Sequence, residues 1–166
     1  MLRLRCATRN SAQHDTCSPH RCIMSRLALK VAGAQGQGVN PIGEVIAKGL
    51  KREGYCIFGY KEYMSLIHGG HSSYQIDVDT VPIRSSMLEV DVLLTVNYQG
   101  IARYLQPSHH GQNIIRKGGY LVHDVDNWEF SAEDKKLIEE REITVIYLPT
   151  EKFLKELKAP HVVQNT

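Results

Sequence analysis

The 166-residue sequence has few of the features that mark special classes of protein. Three of its four Cys fall within the first 22 residues, so it lacks the spread cysteines of a disulfide-stabilised secreted domain. It has no run of 18 apolar residues, so no segment is predicted to span a membrane. The apolar fraction of 42% excludes a disordered or collagen-like chain. We therefore expect one reduced, globular domain in the cytoplasm, without a membrane partner.

The net charge of +2 is too small to indicate a nucleic-acid partner, and it is unevenly distributed. Residues 1–26 carry five Arg and one Asp, whereas residues 27–166 carry 15 basic and 17 acidic side chains. We predict that residues 1–26 form a basic, disordered arm and that residues 27–166 form the domain. The arm has some transit-peptide character, but an unstructured tail or a true start at Met24 is the simpler interpretation.

Two groups of His and Cys lie close enough together in the sequence to be candidate metal sites. Cys17, His20 and Cys22 match no common zinc spacing and lack a second ligand pair. His68 and His71 have no acidic or Cys partner at close spacing, so solvated side chains are the simpler interpretation. No metal site is predicted.

From residue 27 onward, runs rich in Val and Ile alternate with segments of helical spacing. Strands are predicted at 27–32, 55–58, 74–79, 90–96, 119–123 and 143–148, and helices at 41–52, 101–105, 131–142 and 150–157. This alternation predicts an α/β fold with a Rossmann-like, open, mostly parallel sheet and helices on both faces. The segment 74–83 could instead form an antiparallel edge.

Local signals place several helix starts and the core. Asn40 before Pro41 predicts a capped helix start, and Ser131 with Asp134 predicts a capping box. The apolar residues predicted to form the core are Val31, Ile46, Leu50, Val92, Leu94, Leu121 and Ile146.

A glycine-rich turn lies between the first strand and the first helix. It contains Gly33, Gly36 and Gly38, and such a turn lets a ligand approach the backbone beside a helix N-terminus that favours anions. The spacing G-x-x-G-x-G differs from the dinucleotide pattern, and no P-loop Lys follows. A ligand loop and a packing turn are equally good interpretations of this motif alone.

A second unusual segment runs from Tyr60 to Tyr74 and includes Gly69 and Gly70 among hydroxyl and imidazole side chains. If the second strand is parallel to the first, this segment lies on the same rim of the sheet as the glycine turn, where ligands collect. An ordinary polar loop is the alternative. The two segments supply the predicted cofactor-binding residues, which are Gly33, Gly36, Gln37, Gly38, Ser65, Gly69, Gly70 and His71.

Three ordered motifs carry a family resemblance. They read G-A-Q-G-Q-G-V-x-x-x-G from residue 33, Y-x-E-Y-x-S-L-I-H-G-G-H-S-S-Y-Q-I from residue 60 and D-V-L-L-T-V-N from residue 91. Over residues 27–166 the chain resembles the gamma-type domain of 2-oxoacid:ferredoxin (acceptor) oxidoreductases, as found at the N-terminus of the long alpha subunit. Met64, His68 and Ser72 stand where that family commonly has Pro, Arg and Asn.

The resemblance implies a subunit or fragment of an enzyme that oxidatively decarboxylates a 2-oxoacid to an acyl-CoA. Thiamine diphosphate, iron–sulfur clusters and coenzyme A would be used on other domains, and this chain shows no cluster-binding Cys set. The domain would be a non-catalytic partner near the coenzyme A or substrate entrance, inactive alone. Its partners would be the thiamine-binding alpha- and beta-type subunits and, through them, ferredoxin. By comparison with the family, the chain is expected to be truncated at its C-terminus.

Other functions remain open from the sequence. The glycine turn also fits a stand-alone nucleotide- or coenzyme A-binding module, and a simple adaptor is a third possibility. Asp124 and Asp126 follow a strand and could form an acid pair, but acids at this position more often cap helices or face solvent. No catalytic residue is predicted.

Overall fold

The computed structural model describes residues 26–63, 70–107 and 114–156. Six strands and four helices are present in this part of the chain. The strands are β1 (Leu27–Ala34), β2 (Cys56–Tyr63), β3 (His71–Asp79), β4 (Val90–Thr95), β5 (Ile115–His123) and β6 (Thr144–Tyr147). The helices are α1 (Val39–Arg52), α2 (Tyr98–Leu105), α3 (Ala132–Glu140) and α4 (Thr150–Glu156).

The strands form a single sheet in the order β2-β3-β1-β4-β5-β6. β4 is parallel to β1, β5 to β4 and β6 to β5, whereas β3 is antiparallel to both of its neighbours. The helices pack on both faces: α1 covers β1, β2 and β3, and α2 packs on the opposite face against β1, β4 and β5. The predicted mostly parallel α/β sheet is confirmed.

β3 is antiparallel, as the alternative prediction allowed, but it is not an edge strand. Only residues 64–70 separate β2 from β3, and so short a connection cannot make the crossover that parallel strands require. β3 therefore returns beside β2 and then pairs with β1 on its other side, which leaves β2 and β6 as the edges. β2 still runs in the same direction as β1, so their carboxyl ends share one rim.

A tyrosine fixes the distance between α1 and the sheet. A Cβ added at Gly43 would lie 2.2 Å from the Tyr74 ring, and one added at Gly59 would lie 2.8 Å from the Tyr74 hydroxyl. The ring therefore fills the space between the helix and β2, because neither position carries a side chain. This close contact positions the N-terminus of α1 against the sheet.

The main core lies on the face covered by α2 and α3. Its fully or nearly fully buried members are Ala28, Ala32, Val90, Leu93, Ile101, Tyr104, Leu105, Ile115, Leu121 and Ile143. Leu137 and Ile138 of α3 pack against this cluster.

The predicted core is partly correct. Val31 and Leu121 are completely buried, while Ile46, Leu50, Val92 and Leu94 are half-buried. Ile146 was predicted wrongly, since it is 42% exposed. Val92, Leu94 and Ile146 lie on the sheet face opposite the main core, and α1 packs on that face against β1, β2 and β3 instead.

Two of the predicted helix starts can be compared with the structure. α1 begins two residues earlier than predicted, and Gly38 rather than Asn40 is its N-cap. Pro41 is still tolerated, because the first-turn amides of a helix have no intrahelical acceptor. At α3 the predicted capping box is confirmed: Ser131 accepts from the Asp134 amide, and the Asp134 carboxylate accepts from the Ser131 amide.

None of the helices in the described residues is both long enough and apolar enough to cross a membrane. The predicted basic arm at residues 1–26 lies almost entirely outside the described residues.

Candidate ligand-binding site

The glycine turn connects the end of β1 to α1 through two left-handed residues. Gly36 has a φ of 86° and Gly38 has a φ of 77°, values at which any other residue is strained. A Cβ added at Gly36 would meet no atom within 4 Å, so this glycine faces open space. Its conformation shapes the turn, and its missing side chain leaves the backbone accessible.

Gln37 holds the turn in place. Its Oε1 accepts hydrogen bonds from the Ala34 amide at 2.9 Å and from Asn97 Nδ2 at 2.8 Å. Asn97 in turn caps α2 by accepting from the Gly100 amide. This contact joins the loops that follow β1 and β4. The chain leaves these two neighbouring strands toward opposite faces of the sheet, and open α/β sheets bind ligands at such a point.

A cavity of about 420 Å³ lies beside this turn. Its walls are Gln35, Gly36, Gly38, Val39, Asn40, Pro41, Tyr63 and Ser72. Tyr63 closes one side, where its hydroxyl accepts from Asn40 Nδ2 at 3.2 Å. The buried Asn40 Oδ1 has no partner among the described residues. The cavity therefore offers polar groups to a ligand at the rim of the sheet.

The positive character of this cavity comes from the backbone. The described side chains that line it are all uncharged. The N-terminus of the 14-residue helix α1 opens into it, and the first helical amides have no intrahelical acceptor. With its partial positive charge, this helix end suits a phosphate or a carboxylate. The site can bind and orient an anion, but its side chains form no nucleophile–base pair.

Six of the eight predicted site residues fall into three groups. Gly36 and Gly38 line the cavity, and Gln37 supports it from behind. Gly33 is a packing residue, since a Cβ there would lie 2.3 Å from Val96. Ser65 and Gly69 lie outside the described residues.

Gly70 and His71 connect the second motif to the turn, but only one of them stays near it. The Gly70 carbonyl accepts from the Gln35 amide at 2.8 Å, so it fixes the base of the turn. His71 pairs with Ala34 in the sheet, and its side chain faces the side covered by α2. The next residue, Ser72, faces the glycine turn instead, because side chains alternate along a strand.

Sequence reasoning missed six lining residues, namely Gln35, Val39, Asn40, Pro41, Tyr63 and Ser72. Asn40 was interpreted as a helix cap, and the quoted second motif contained Tyr63 and Ser72 without a predicted role for them. Strand alternation would have placed His71 and Ser72 on opposite faces if the start of β3 had been predicted at residue 71.

His71 lies in a second cavity on the opposite face, beside an ion pair in which Lys30 is buried and Glu62 is partly exposed. Lys30 Nζ lies 2.8 Å from Glu62 Oε2, which also accepts from Ser73 Oγ at 2.7 Å. Burial and the nearby cations Arg103 and Lys30 lower the pKa of His71 to about 4. Burial alone would raise the pKa of Glu62, but hydrogen bonds from Lys30 and Ser73 outweigh it and lower that pKa. His71 is therefore neutral and Glu62 charged near pH 7.

Asp124 and Asp126 have structural partners. Asp124 accepts from the Thr150 amide at 3.1 Å and from the Thr150 hydroxyl, so it caps α4. Asp126 accepts from the Tyr147 hydroxyl. The described residues contain no group of three His, Cys, Asp or Glu that could hold a metal ion.

Comparisons with known proteins agree with this architecture. The family model described as pyruvate ferredoxin/flavodoxin oxidoreductase matches residues 28–166. A curated relative, subunit alpha of 2-oxoacid:ferredoxin oxidoreductase 2 from Aeropyrum pernix, is 32% identical over 101 residues. That match covers 61% of this chain and 15% of the relative. The chain thus spans only a small part of the curated subunit.

Solved structures show the same fold. The 2-oxoglutarate:ferredoxin oxidoreductase of Magnetococcus marinus aligns with a TM-score of 0.63 at 22% identity, over 82% of this chain and 22% of that one. The gamma subunit of a keto/oxoacid ferredoxin oxidoreductase from Geobacter sulfurreducens aligns with a TM-score of 0.59 at 17% identity, over 86% of this chain and 71% of that one. With the family match over residues 28–166, the chain belongs to the pyruvate ferredoxin/flavodoxin oxidoreductase family.

Proposed function

We propose that this chain serves as a gamma-type, non-catalytic domain within a 2-oxoacid:ferredoxin oxidoreductase that converts a 2-oxoacid to an acyl-CoA. The family match and the alpha-subunit relatives support this role. The stand-alone binding module is less favoured, because the matched relatives are subunits named for the whole oxidoreductase. The working enzyme would need the thiamine-binding alpha- and beta-type subunits, with ferredoxin as the electron acceptor, in the cytoplasm.

Other chains would supply the redox chemistry. The described residues contain a single cysteine, Cys56, and an iron–sulfur cluster needs several thiolate ligands. Among the described residues that line the glycine-turn cavity, no side chain suited to nucleophilic attack lies beside a base. The domain would therefore contribute binding and positioning.

The function proposed for the glycine turn is to hold an anionic part of coenzyme A. The observation that carries this proposal is the cavity between Gly36, Gly38 and the N-terminus of α1, where Gly36 faces open space. A phosphate group is the natural ligand of such a helix end. The cavity of about 420 Å³ would hold only a part of coenzyme A, so the rest of the cofactor would extend toward the partner subunits. The Magnetococcus marinus enzyme was solved with coenzyme A bound.

Two glycine variants test the proposal in the reconstituted complex. Gly36→Ala places a Cβ at the cavity, while Gly118→Ala adds one at another open, left-handed glycine with a φ of 75° in β5. Both substitutions carry similar backbone strain, so they are matched in stability cost. We expect Gly36→Ala to raise the KM for coenzyme A about tenfold or more, with kcat little changed. Gly118→Ala should leave both constants unchanged.

Assembly is tested separately by copurification of this chain with the thiamine-binding subunits and by 2-oxoacid-dependent reduction of a viologen dye. A complex that forms and works equally well without this chain would refute its role as a partner domain. Equal KM values for the two glycine variants would instead refute only the coenzyme A contact.

A further inference from the structure

A second cavity, of about 690 Å³, lies on the face of the sheet opposite the glycine turn. It opens between α2 and the rim ends of β1, β2 and β3, and among the described residues only Tyr63 lines both cavities. The side chains that matter here are Lys30, Glu62, His71, Arg103 and Tyr104. The proposed coenzyme A contact uses none of these residues.

His71 is the unexplained residue of this cavity. It is 8% exposed, and neither Nδ1 nor Nε2 has a hydrogen-bond partner among the described residues. Its ring packs against Tyr104, with the centroids 5.1 Å apart, so its position is fixed by packing. A buried imidazole without partners is costly, because both of its nitrogens have lost water. A ligand in the cavity would supply the missing partner.

The charges around His71 leave one cation uncompensated. Lys30 is neutralised by Glu62 at 2.8 Å, and its ammonium also lies 4.8 Å from the centroid of the Tyr104 ring. Arg103 lines the cavity from α2 and is exposed, with no carboxylate within ion-pair distance among the described residues. The cavity therefore carries a formal charge of about +1 near neutral pH, where His71 is neutral.

The rest of the wall is mostly apolar or aromatic. It includes Tyr98, Ala102, Pro107 and Ile114, which can cover the carbon body of an organic molecule. We propose that this cavity binds an organic monocarboxylate, whose carboxylate accepts hydrogen bonds from the Arg103 guanidinium and one His71 ring N–H.

The chemistry favours a carboxylate over a phosphate. One uncompensated cation balances a monoanion, and the planar guanidinium fork matches a carboxylate in two parallel hydrogen bonds. A free small molecule is favoured over the acidic side chain of a partner protein, because His71 lies well below the surface. The carboxylate must therefore enter the cavity.

The test is an NMR titration of the full 166-residue chain, observing the His71 ring. The probes are benzoate, its neutral isostere benzamide and inorganic phosphate. Lys30, Glu62, Arg103 and Tyr104 are the titratable groups that face His71, so the pH is held near 7, where only the ligand changes the local charge. At this pH benzoate is expected to shift the His71 ring signals saturably. Benzamide and phosphate are expected to leave these signals unchanged.

Equal binding of benzamide or phosphate, or no response to benzoate, would overturn the proposal. Because the probes act on the isolated chain, neither result depends on coenzyme A or on assembly of the oxidoreductase. The acidic side chain of a partner would be indicated instead if a Glu-containing peptide shifted His71 and benzoate did not, and that outcome also overturns it.

Variants provide the matched comparison. Arg103→Gln should weaken benzoate binding about tenfold or more, whereas Arg52→Gln, at another exposed helical arginine on α1, should not change it. His71→Phe keeps a ring against Tyr104 but removes the two unpaired nitrogens. It should abolish binding while the urea midpoint stays equal or rises. A lower midpoint, or retained binding, would contradict the assignment of His71 to a ligand.

Discussion

Gln37 and Asn97 join the two loops that follow β1 and β4, with Gln37 Oε1 accepting from Asn97 Nδ2 at 2.8 Å. The same oxygen accepts from the Ala34 amide, so one side chain fixes the end of β1, the glycine turn and the start of α2. The candidate ligand site is thus held by a contact between residues 60 positions apart.

We expect Gln37→Leu to lower the free energy of unfolding by about 1–3 kcal/mol, because it leaves the Ala34 amide and the Asn97 amide group without an acceptor. Urea denaturation measures this change. Gln99→Leu, at an exposed position in α2, is the control and should stay within about 0.5 kcal/mol of the parent. Similar losses in the two variants would show that the Gln37 contact is unimportant.

Two glycines of α1 should respond in opposite directions to the same substitution. Gly43→Ala would place a Cβ 2.2 Å from the Tyr74 ring, which Gly59 confines on its other side, so the helix must move and stability should fall by about 1–3 kcal/mol. Gly49→Ala meets no atom within 4 Å and should gain up to about 1 kcal/mol from helix propensity. Thermal unfolding of the two variants, compared with the parent, gives the sign of each effect. If both substitutions raised the stability or both lowered it, the close packing of α1 on Tyr74 would be refuted.

Removing Lys30 and removing Glu62 from their ion pair should have unequal effects on stability. Glu62→Gln leaves Lys30, whose side chain is only 6% exposed, as an uncompensated buried charge and should cost about 3 kcal/mol. Lys30→Met leaves Glu62, which is 41% exposed and still bonded to Ser73, and should cost only about 1 kcal/mol. In urea denaturation, adding Lys30→Met to Glu62→Gln should recover part of the loss. A double variant less stable than either single variant would exclude this interpretation.

Stability should depend on pH through His71. Its pKa falls from 6.5 to about 4 on folding, because burial and the charges of Arg103 and Lys30 oppose protonation. Between these values the unfolded chain binds a proton that the folded chain does not, so stability decreases as the pH falls. The decrease amounts to at most about 3 kcal/mol between pH 6.5 and pH 4.

The matching variant is His71→Phe, in which the pH dependence of stability contributed by His71 should disappear. The loss of stability on protonation of Glu62, which occurs below the usual pKa of that carboxyl group, should remain. Unfolding free energies of the parent and the variant, measured at half-unit steps of pH, give the comparison. Superimposable profiles would show that His71 does not titrate as its burial indicates.

Much of the fold was predictable because its signals are local. Helix capping at Ser131 and Asp134 depends on residues three positions apart, and Val/Ile-rich runs such as 90–96 identify buried strands without knowledge of their neighbours. The glycine turn was also recognisable, since Gly36 and Gly38 do adopt left-handed conformations. The exact start of α1 was missed because Gly38 caps it through its backbone, without a side-chain signal.

The site was less predictable, because its parts come from different elements. The second motif was interpreted as one ligand loop, yet the register of β3 sends His71 to one face of the sheet and Ser72 to the other. Ile146 has the apolar side chain of a core residue, but it lies on the sheet face opposite the main core and is 42% exposed. Such outcomes depend on which strand lies beside which.

By itself, the sequence determined the order of strands and helices, the glycine turn and the family motifs, since hydrogen bonds and periodicity over a few residues specify them. The tertiary structure alone decided that β3 inserts between β2 and β1, and that Gln37 meets Asn97. It also brought Lys30, Glu62 and His71 into one cavity. The physical reason is sheet pairing: the register between distant strands sets which side chains share a face, and no local pattern encodes that register.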